Sequence, residues 1–247
     1  MTTNEWTDKT YLVAGASSSI GQEVCANLLQ NGSQVIAITR TEASLAKLSS
    51  IWGARLKIVA VDLSPIGSSQ LVTKEIVGRL SGFVYCPGVL TIAPVKFYKH
   101  IDFANAMRIN CEAFLEICQG LMRKSLFEKG SSIVAVSSIM ESHAVPGNAI
   151  YAASKAALSA AVNVLALELA REHIRVNTVS PGALASGMTR EVEQSLSAEA
   201  VSKHGALYPL GVGAASDVSN LIIFLLSQSS QWITGTRSLI DGGYSCR

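Results

Sequence analysis

The chain has 247 residues, enough for one large α/β domain with a substantial core. Apolar residues make up 49% and charged residues only 15%, a balance that excludes a disordered chain. A formal net charge of +2, with no run of Lys or Arg, excludes the footprint of a nucleic-acid binder.

Residues 11–14 (YLVA) read as a short apolar strand running into a small-residue turn, AGASSSIG, and then a helix, IGQEVCANLLQNG. A second strand is expected at 34–39 and a second helix over TEASLAKLSS. A third strand at 56–61 ends at Asp62, a weaker helix covers about 68–79, and a fourth strand lies at 82–86. One long helix is expected over 101–124, a fifth strand at 132–137 and another long helix over 151–172. The sixth strand, 174–179, leads into Ser180-Pro181-Gly182. After it come an irregular stretch at 183–208, a helix over 216–227 and a last strand at 237–240.

Strands alternating with helices mean βαβ units and a mainly parallel sheet covered on both faces. The expected fold is therefore α/β: one doubly wound, Rossmann-like domain over 1–247 with seven strands. Its dinucleotide-binding half is about 1–130 and its catalytic and substrate half about 131–247. No apolar run approaches the ~18 residues of a membrane span, and the polar start MTTNEWTDKT lacks the core of a signal peptide. A cytoplasmic protein with no membrane partner is expected. Cys25, Cys111 and Cys118 fall in helical patterns and are expected to be buried small hydrophobes. The scattered cysteines and histidines show no ligand spacing, so no metal is assigned.

Chemistry concentrates at Ser138, Tyr151 and Lys155. Tyr151 and Lys155 stand four apart at the head of an Ala- and Leu-rich run, so a helix puts them on one face. A neighbouring ammonium favours phenolate, and a tyrosine tuned this way passes protons to or from a reacting oxygen. Ser138 closes an apolar run where its hydroxyl can bond the same oxygen. In doubly wound sheets the ligand lies beyond the carboxyl ends of the strands. There the first turn offers Gly15, Ser17, Ser18, Ser19, Ile20 and Gly21, a backbone cradle for a pyrophosphate at a helix N-terminus. The tip of the second strand reads Thr39-Arg40 with no Asp or Glu. An acid there would hold a free ribose 2′-hydroxyl, whereas a neutral Thr followed by Arg suits a 2′-phosphate, hence NADP(H).

Taken in order, the small-residue turn at 14–21, Asp62, Gly88, Asn110, Ser138, Tyr151 with Lys155 and Pro181-Gly182 resemble the short-chain dehydrogenase/reductase family. The ending ITGTRSLIDGGYSC resembles its bacterial 3-oxoacyl-acyl-carrier-protein reductase branch. The resemblance implies hydride transfer between NADP(H) and a carbonyl or secondary alcohol, with a 3-oxoacyl thioester as the leading substrate. A keto-sugar or secondary-metabolite ketone is the alternative, and a non-catalytic dinucleotide-binding or scaffold protein is the reading from another class. Tyr151 would be the acid/base and Ser138 would polarise the substrate oxygen. Lys155 would lower the Tyr151 pKa and hold the nicotinamide ribose. Asn110 would position a water of the proton relay. Asp62, Leu63, Gly88, Pro181 and Gly182 would line the cofactor. A homo-oligomer, dimer or tetramer, would form through the helices at 101–124 and 151–172; the face of Ala152, Ala156, Ala160 and Val164 fits such a contact and fits equally well a face packed on the sheet. Ala14 stands where the family usually has Thr, Ser19 where it has a further Gly, and Tyr85-Cys86-Pro87-Gly88 where it has Asn-Asn-Ala-Gly.

Overall fold

The computed structural model describes residues 5–185, 187 and 197–246. Seven strands form one all-parallel sheet: β1 Thr10–Ala14, β2 Gln34–Thr39, β3 Leu56–Ala60, β4 Leu80–Tyr85, β5 Phe127–Val136, β6 Arg175–Pro181 and β7 Arg237–Ile240. Their order is β3-β2-β1-β4-β5-β6-β7, so the chain crosses from one side of β1 to the other between β3 and β4. That reversal opens a crevice at the carboxyl ends of β1 and β4, where Ala14 pairs with both Ile38 and Tyr85.

Successive side chains point to opposite faces of a strand, and the sequence obeys this across the sheet. Leu12, Ile36, Phe83, Ile133 and Val176 pack on one face with α5 (Ala113–Arg123) and α6 (Ala149–Leu169). Val13, Ala37, Val84, Val134 and Val179 pack on the other with α1 (Ser19–Gln30) and α8 (Ala215–Leu226). Cys25, Cys111 and Cys118 are buried free thiols in these layers, as expected. By length and composition alone α6, with the 3₁₀ turn after it, is apolar enough to cross a membrane. Its Leu158, Val162, Ala166 and Leu169 nevertheless belong to the core.

Several boundaries differ from the sequence expectation. The second helix splits into a 3₁₀ turn, Glu42–Leu45, and α2, Ala46–Trp52. The third helix, α3, covers only Ser69–Lys74, and Gly78 beyond it sits at φ 82°, outside helical space. The stretch at 183–208, expected to be irregular, contains the helix α7, Ala198–Gly205, with Ser197 capping it through Ala200 N at 3.2 Å. Residues 186 and 188–196 of that stretch lie outside the described residues.

The expected long helix over 101–124 is three pieces: α4 His100–Met107, a π turn Arg108–Glu112, and α5. The π turn inserts an extra residue, and such turns favour functional positions. Asn110 lies in it, fully buried. The buried Tyr85 hydroxyl donates to Ile109 O of the same turn at 2.5 Å, satisfying a phenol otherwise enclosed by Phe83 and Phe114.

Candidate active site

The turn between β1 and α1 is built by main-chain proximity. Gly15 has φ 69°, and a Cβ there would lie 2.7 Å from Pro87 N. A Cβ on Gly21 would meet Gly15 O at 2.3 Å, so α1 can approach the turn only with hydrogen at that position. Ser18 caps α1, its Oγ accepting from Gly21 N at 3.0 Å and donating to Gly15 O at 2.8 Å. Ser17 O accepts from the Gln22 amide at 2.9 Å, while Ile20 packs against the core. The result is a bare backbone cradle at a helix N-terminus, the arrangement that receives a dinucleotide pyrophosphate. Ser19 faces the segment after β6, since a Cβ on Gly187 would lie 3.7 Å from its Oγ.

At the rim, Thr39 is buried and its hydroxyl is taken up locally, by Ser44 Oγ at 2.9 Å and Thr41 O at 3.3 Å. The Ser64 N–H and hydroxyl, donating to Asp62 at 2.9 and 2.8 Å, hold that carboxyl below the usual range, with a smaller contribution from the exposed Arg40. Leu63 turns into the core beside this exposed acid. Behind the loop, the Arg108 guanidinium donates to Ser64 O at 3.2 Å and Pro65 O at 2.9 Å, and pairs with Glu116 at 2.8 Å.

Across the crevice, β5 ends in a 3₁₀ turn, Ile139–Glu141, with Ser138 at its head. Ser138 Oγ, which accepts from Met140 N at 3.2 Å, neighbours the Tyr151 phenol in the first turn of α6. Burial pushes Tyr151 up to about 12, against the downward pull of the Ser138 hydroxyl, and the Glu141 charge adds to the rise. Lys155 lies one turn on, 3% exposed, with Nζ donating to Val136 O at 2.8 Å and 5.9 Å from the Tyr151 ring centre. Its own burial brings it down to about 8, while the Glu141 charge opposes the drop. The expectation that Lys155 lowers Tyr151 is therefore corrected. In this state the ammonium turns to a carbonyl, and desolvation of the phenol decides.

Asn110 Oδ1 accepts from Val89 N at 2.8 Å, and Nδ2 donates to Val89 O at 3.0 Å and Ser154 Oγ at 2.8 Å. Both amide hydrogens are thus spent on bracing the loop after β4 against α6. A Cβ on Gly88 would lie 3.3 Å from Lys155 Nζ, which places that glycine between the cradle and the lysine. Pro181 ends β6, and Gly182 N donates to Ile240 O at 3.0 Å. A Cβ on Gly182 would strike Tyr208 at 2.8 Å. Beyond lies a cavity of about 390 Å³ lined by Ser142, His143, Ala144, Leu207 and Tyr244.

A family model described as enoyl-(acyl carrier protein) reductase matches residues 15–245, nearly the whole chain. The chain belongs to the short-chain dehydrogenase/reductase family. Members of this family bind nicotinamide dinucleotide, and the cradle of Gly15, Gly21 and Gly88 fits that group. The chain is 31% identical to an L-xylulose reductase of Caenorhabditis elegans, over 98% of its own length and 97% of that protein. It is likewise 31% identical to the 3-oxoacyl-acyl-carrier-protein reductase FabG of Thermotoga maritima, over 95% and 97%. It is 30% identical to carbonyl reductase (NADPH) 2 of Sus scrofa, over 94% and 95%. Among solved structures, a short-chain dehydrogenase family protein from Francisella tularensis superposes with a TM-score of 0.88 at 28% identity, covering 98% of this chain and 100% of that one.

Two departures from the short-chain dehydrogenase/reductase pattern acquire a structural meaning. Pro87 supplies no N–H, yet its nitrogen packs directly on Gly15, so it shapes the cradle by contact. Cys86 donates its N–H to Ala14 O at 3.0 Å, and burial pushes its thiol up to about 12, leaving it a neutral neighbour of Lys155. Sequence reading missed Ser154, Arg108, Glu141 and Arg237. Ser154 had a usable signal, a polar residue beside Lys155 on an otherwise apolar helix. The other three rest in part on partners distant in the chain: Ser64 and Pro65 for Arg108, Ser180 and Arg237 for Glu141, and Glu141 for Arg237.

Proposed function

We propose that this protein is an NADP(H)-dependent carbonyl reductase of the cytoplasm, moving hydride between nicotinamide and a carbonyl or secondary alcohol carbon. The observation that carries the reading is the meeting of Ser138, Tyr151 and Lys155 beside the glycine cradle, across one crevice. A bound nicotinamide supplies or takes up the hydride. Tyr151, protonated at neutral pH with its pKa near 12, is suited to give its proton to an oxygen that becomes alkoxide. Ser138 orients the same oxygen, and Lys155 offers an ammonium to the ribose below about pH 8. Arg40, exposed at the β2 tip with no acid in place of Thr39, supports a 2′-phosphate, in keeping with the NADPH named for the pig relative.

The substrate we put first is a 3-oxoacyl thioester, on the likeness to FabG and on the cavity lined by His143, Leu207 and Tyr244. The active unit is a homo-oligomer. On α6, Ala156, Ala160 and Val164 point away from the sheet and are exposed, with Leu167 at 81%. A spectrophotometric screen of NADPH and NADH against 3-oxoacyl thioesters, simple ketones, diketones and keto-sugars tests the reading. Thioester-dependent NADPH consumption is expected. A higher kcat/KM with NADH would overturn the cofactor, and no turnover of any carbonyl would overturn the activity.

A further inference from the structure

Glu141 has no place in the proton path described above, yet it is the most heavily coordinated acid near it. Its side chain is only 2% exposed. Oε2 accepts from Ser137 Oγ at 2.9 Å and from the Ser159 hydroxyl. Oε1 accepts from Ser180 Oγ at 2.5 Å and stands 3.5 Å from Arg237 Nε. Three hydroxyls and one guanidinium therefore converge on two oxygens. All of them can donate, which is the surrounding a carboxylate needs once water is removed. The donors come from the end of β5, from α6, from β6 and from β7.

The position of this carboxylate in the chain gives the coordination a purpose. Glu141 closes the 3₁₀ turn that Ser138 caps. We propose that Glu141 is a positioning residue of this site: it clamps the turn bearing Ser138 to β6, β7 and α6, and sets a fixed negative charge beneath Tyr151 and Lys155. The clamp holds the Ser138 hydroxyl against the phenol. The charge keeps the buried Lys155 amine protonated and Tyr151 a phenol, so both remain in the forms that reduction uses.

The ionisable groups acting on the pair can be named by element. Glu141 in the 3₁₀ turn acts on both Tyr151 and Lys155. Cys86 after β4 and Cys111 in the π turn also neighbour Lys155, but burial raises both thiols and keeps them uncharged near pH 8. Arg237 on β7 faces Glu141 from the solvent side, its side chain 40% exposed, and partly offsets its charge. Glu141→Gln and Arg237→Gln should therefore shift Lys155 in opposite directions. Loss of the carboxylate charge lowers the lysine, and loss of the offsetting guanidinium raises it. A purely structural role has no reason to give opposite signs.

The inference rests on the proposed function for its purpose, but it can be tested without turnover. In protein carrying carbon-13-labelled lysine, the ε-methylene signal that disappears in Lys155→Arg reports Lys155. Its midpoint is expected near pH 8. It should fall by about half a pH unit or more in Glu141→Gln, rise in Arg237→Gln, and stay near wild type in Glu141→Asp, which keeps the charge. The basic limb of the kcat/KM profile should move the same way. An unmoved midpoint in Arg237→Gln, or one that moves downward, overturns the proposal even if Glu141→Gln fails to fold. Absence of carbonyl turnover, with the midpoints shifting as stated, overturns the function and leaves Glu141 in its role.

Discussion

The two walls of the crevice are made by different physics. The nucleotide wall, at β1, α1 and β4, is main chain meeting main chain, with glycines where a Cβ would have to sit 2.3 to 2.7 Å from backbone atoms. Its capping hydroxyl, Ser18, bonds partners only three residues away. The catalytic wall, at β5, α6, β6 and β7, is a buried net of side chains whose partners lie far apart in the chain. Glu141 to Arg237 and Asn110 to Ser154 are examples. One wall is a steric device and the other an electrostatic one, so the two should fail differently when disturbed.

The largest expected effect belongs to the catalytic wall. Tyr151→Phe keeps the ring and its packing, so turnover should drop about a hundredfold or more while dinucleotide affinity stays within about twofold. Stopped-flow turnover and dinucleotide titration of the same variant separate the two. On the opposite wall the pattern reverses. Gly21→Ala forces α1 away from Gly15 O and should cost about 1–3 kcal/mol of stability, as measured by urea unfolding. It should also weaken the dinucleotide about tenfold, because the N–H cradle opens.

A subtler test lies at the rim of the nucleotide wall. Arg40→Ala should weaken NADPH about tenfold and leave NADH within about twofold, since only one of them carries the extra phosphate. Equal losses for both would assign Arg40 to general charge attraction and remove the basis for cofactor choice. The smallest effect is one of pH, and it couples the two walls. Lys155 is lowered to about 8 by burial, so its ammonium is present below that pH and lost above it. Dinucleotide affinity should fall a few-fold between about pH 7 and 9 in wild type, measured by fluorescence titration, and should be flat over that range in Lys155→Met.

The geometry of the glycine turn was largely legible before any fold was known. Gly15, Ser18 and Gly21 act on one another over six residues, and short-range geometry of that kind leaves a spacing in the chain. Tyr151 and Lys155 were legible for a similar reason, since helical periodicity alone puts them on one face. The π turn at Arg108–Glu112 was not. Its composition is that of an ordinary helix, and the extra residue is accommodated by Tyr85 and Val89, which come from β4 and the loop after it.

What the sequence determined by itself was the alternation of strands and helices, the mainly parallel sheet they imply, and the identity of the residues at its carboxyl edge. Each of these follows from local periodicity, glycine sterics or turn chemistry. Tertiary structure alone decided the ionisation of those residues. The expected help from Lys155 to Tyr151 loses to burial because desolvation depends on everything that excludes water, and an interval of four residues carries no information about that. The coordination of Glu141 was decided in the same way. Its three hydroxyls and one guanidinium span residues 137 to 237 and meet only because β5, β6 and β7 lie side by side.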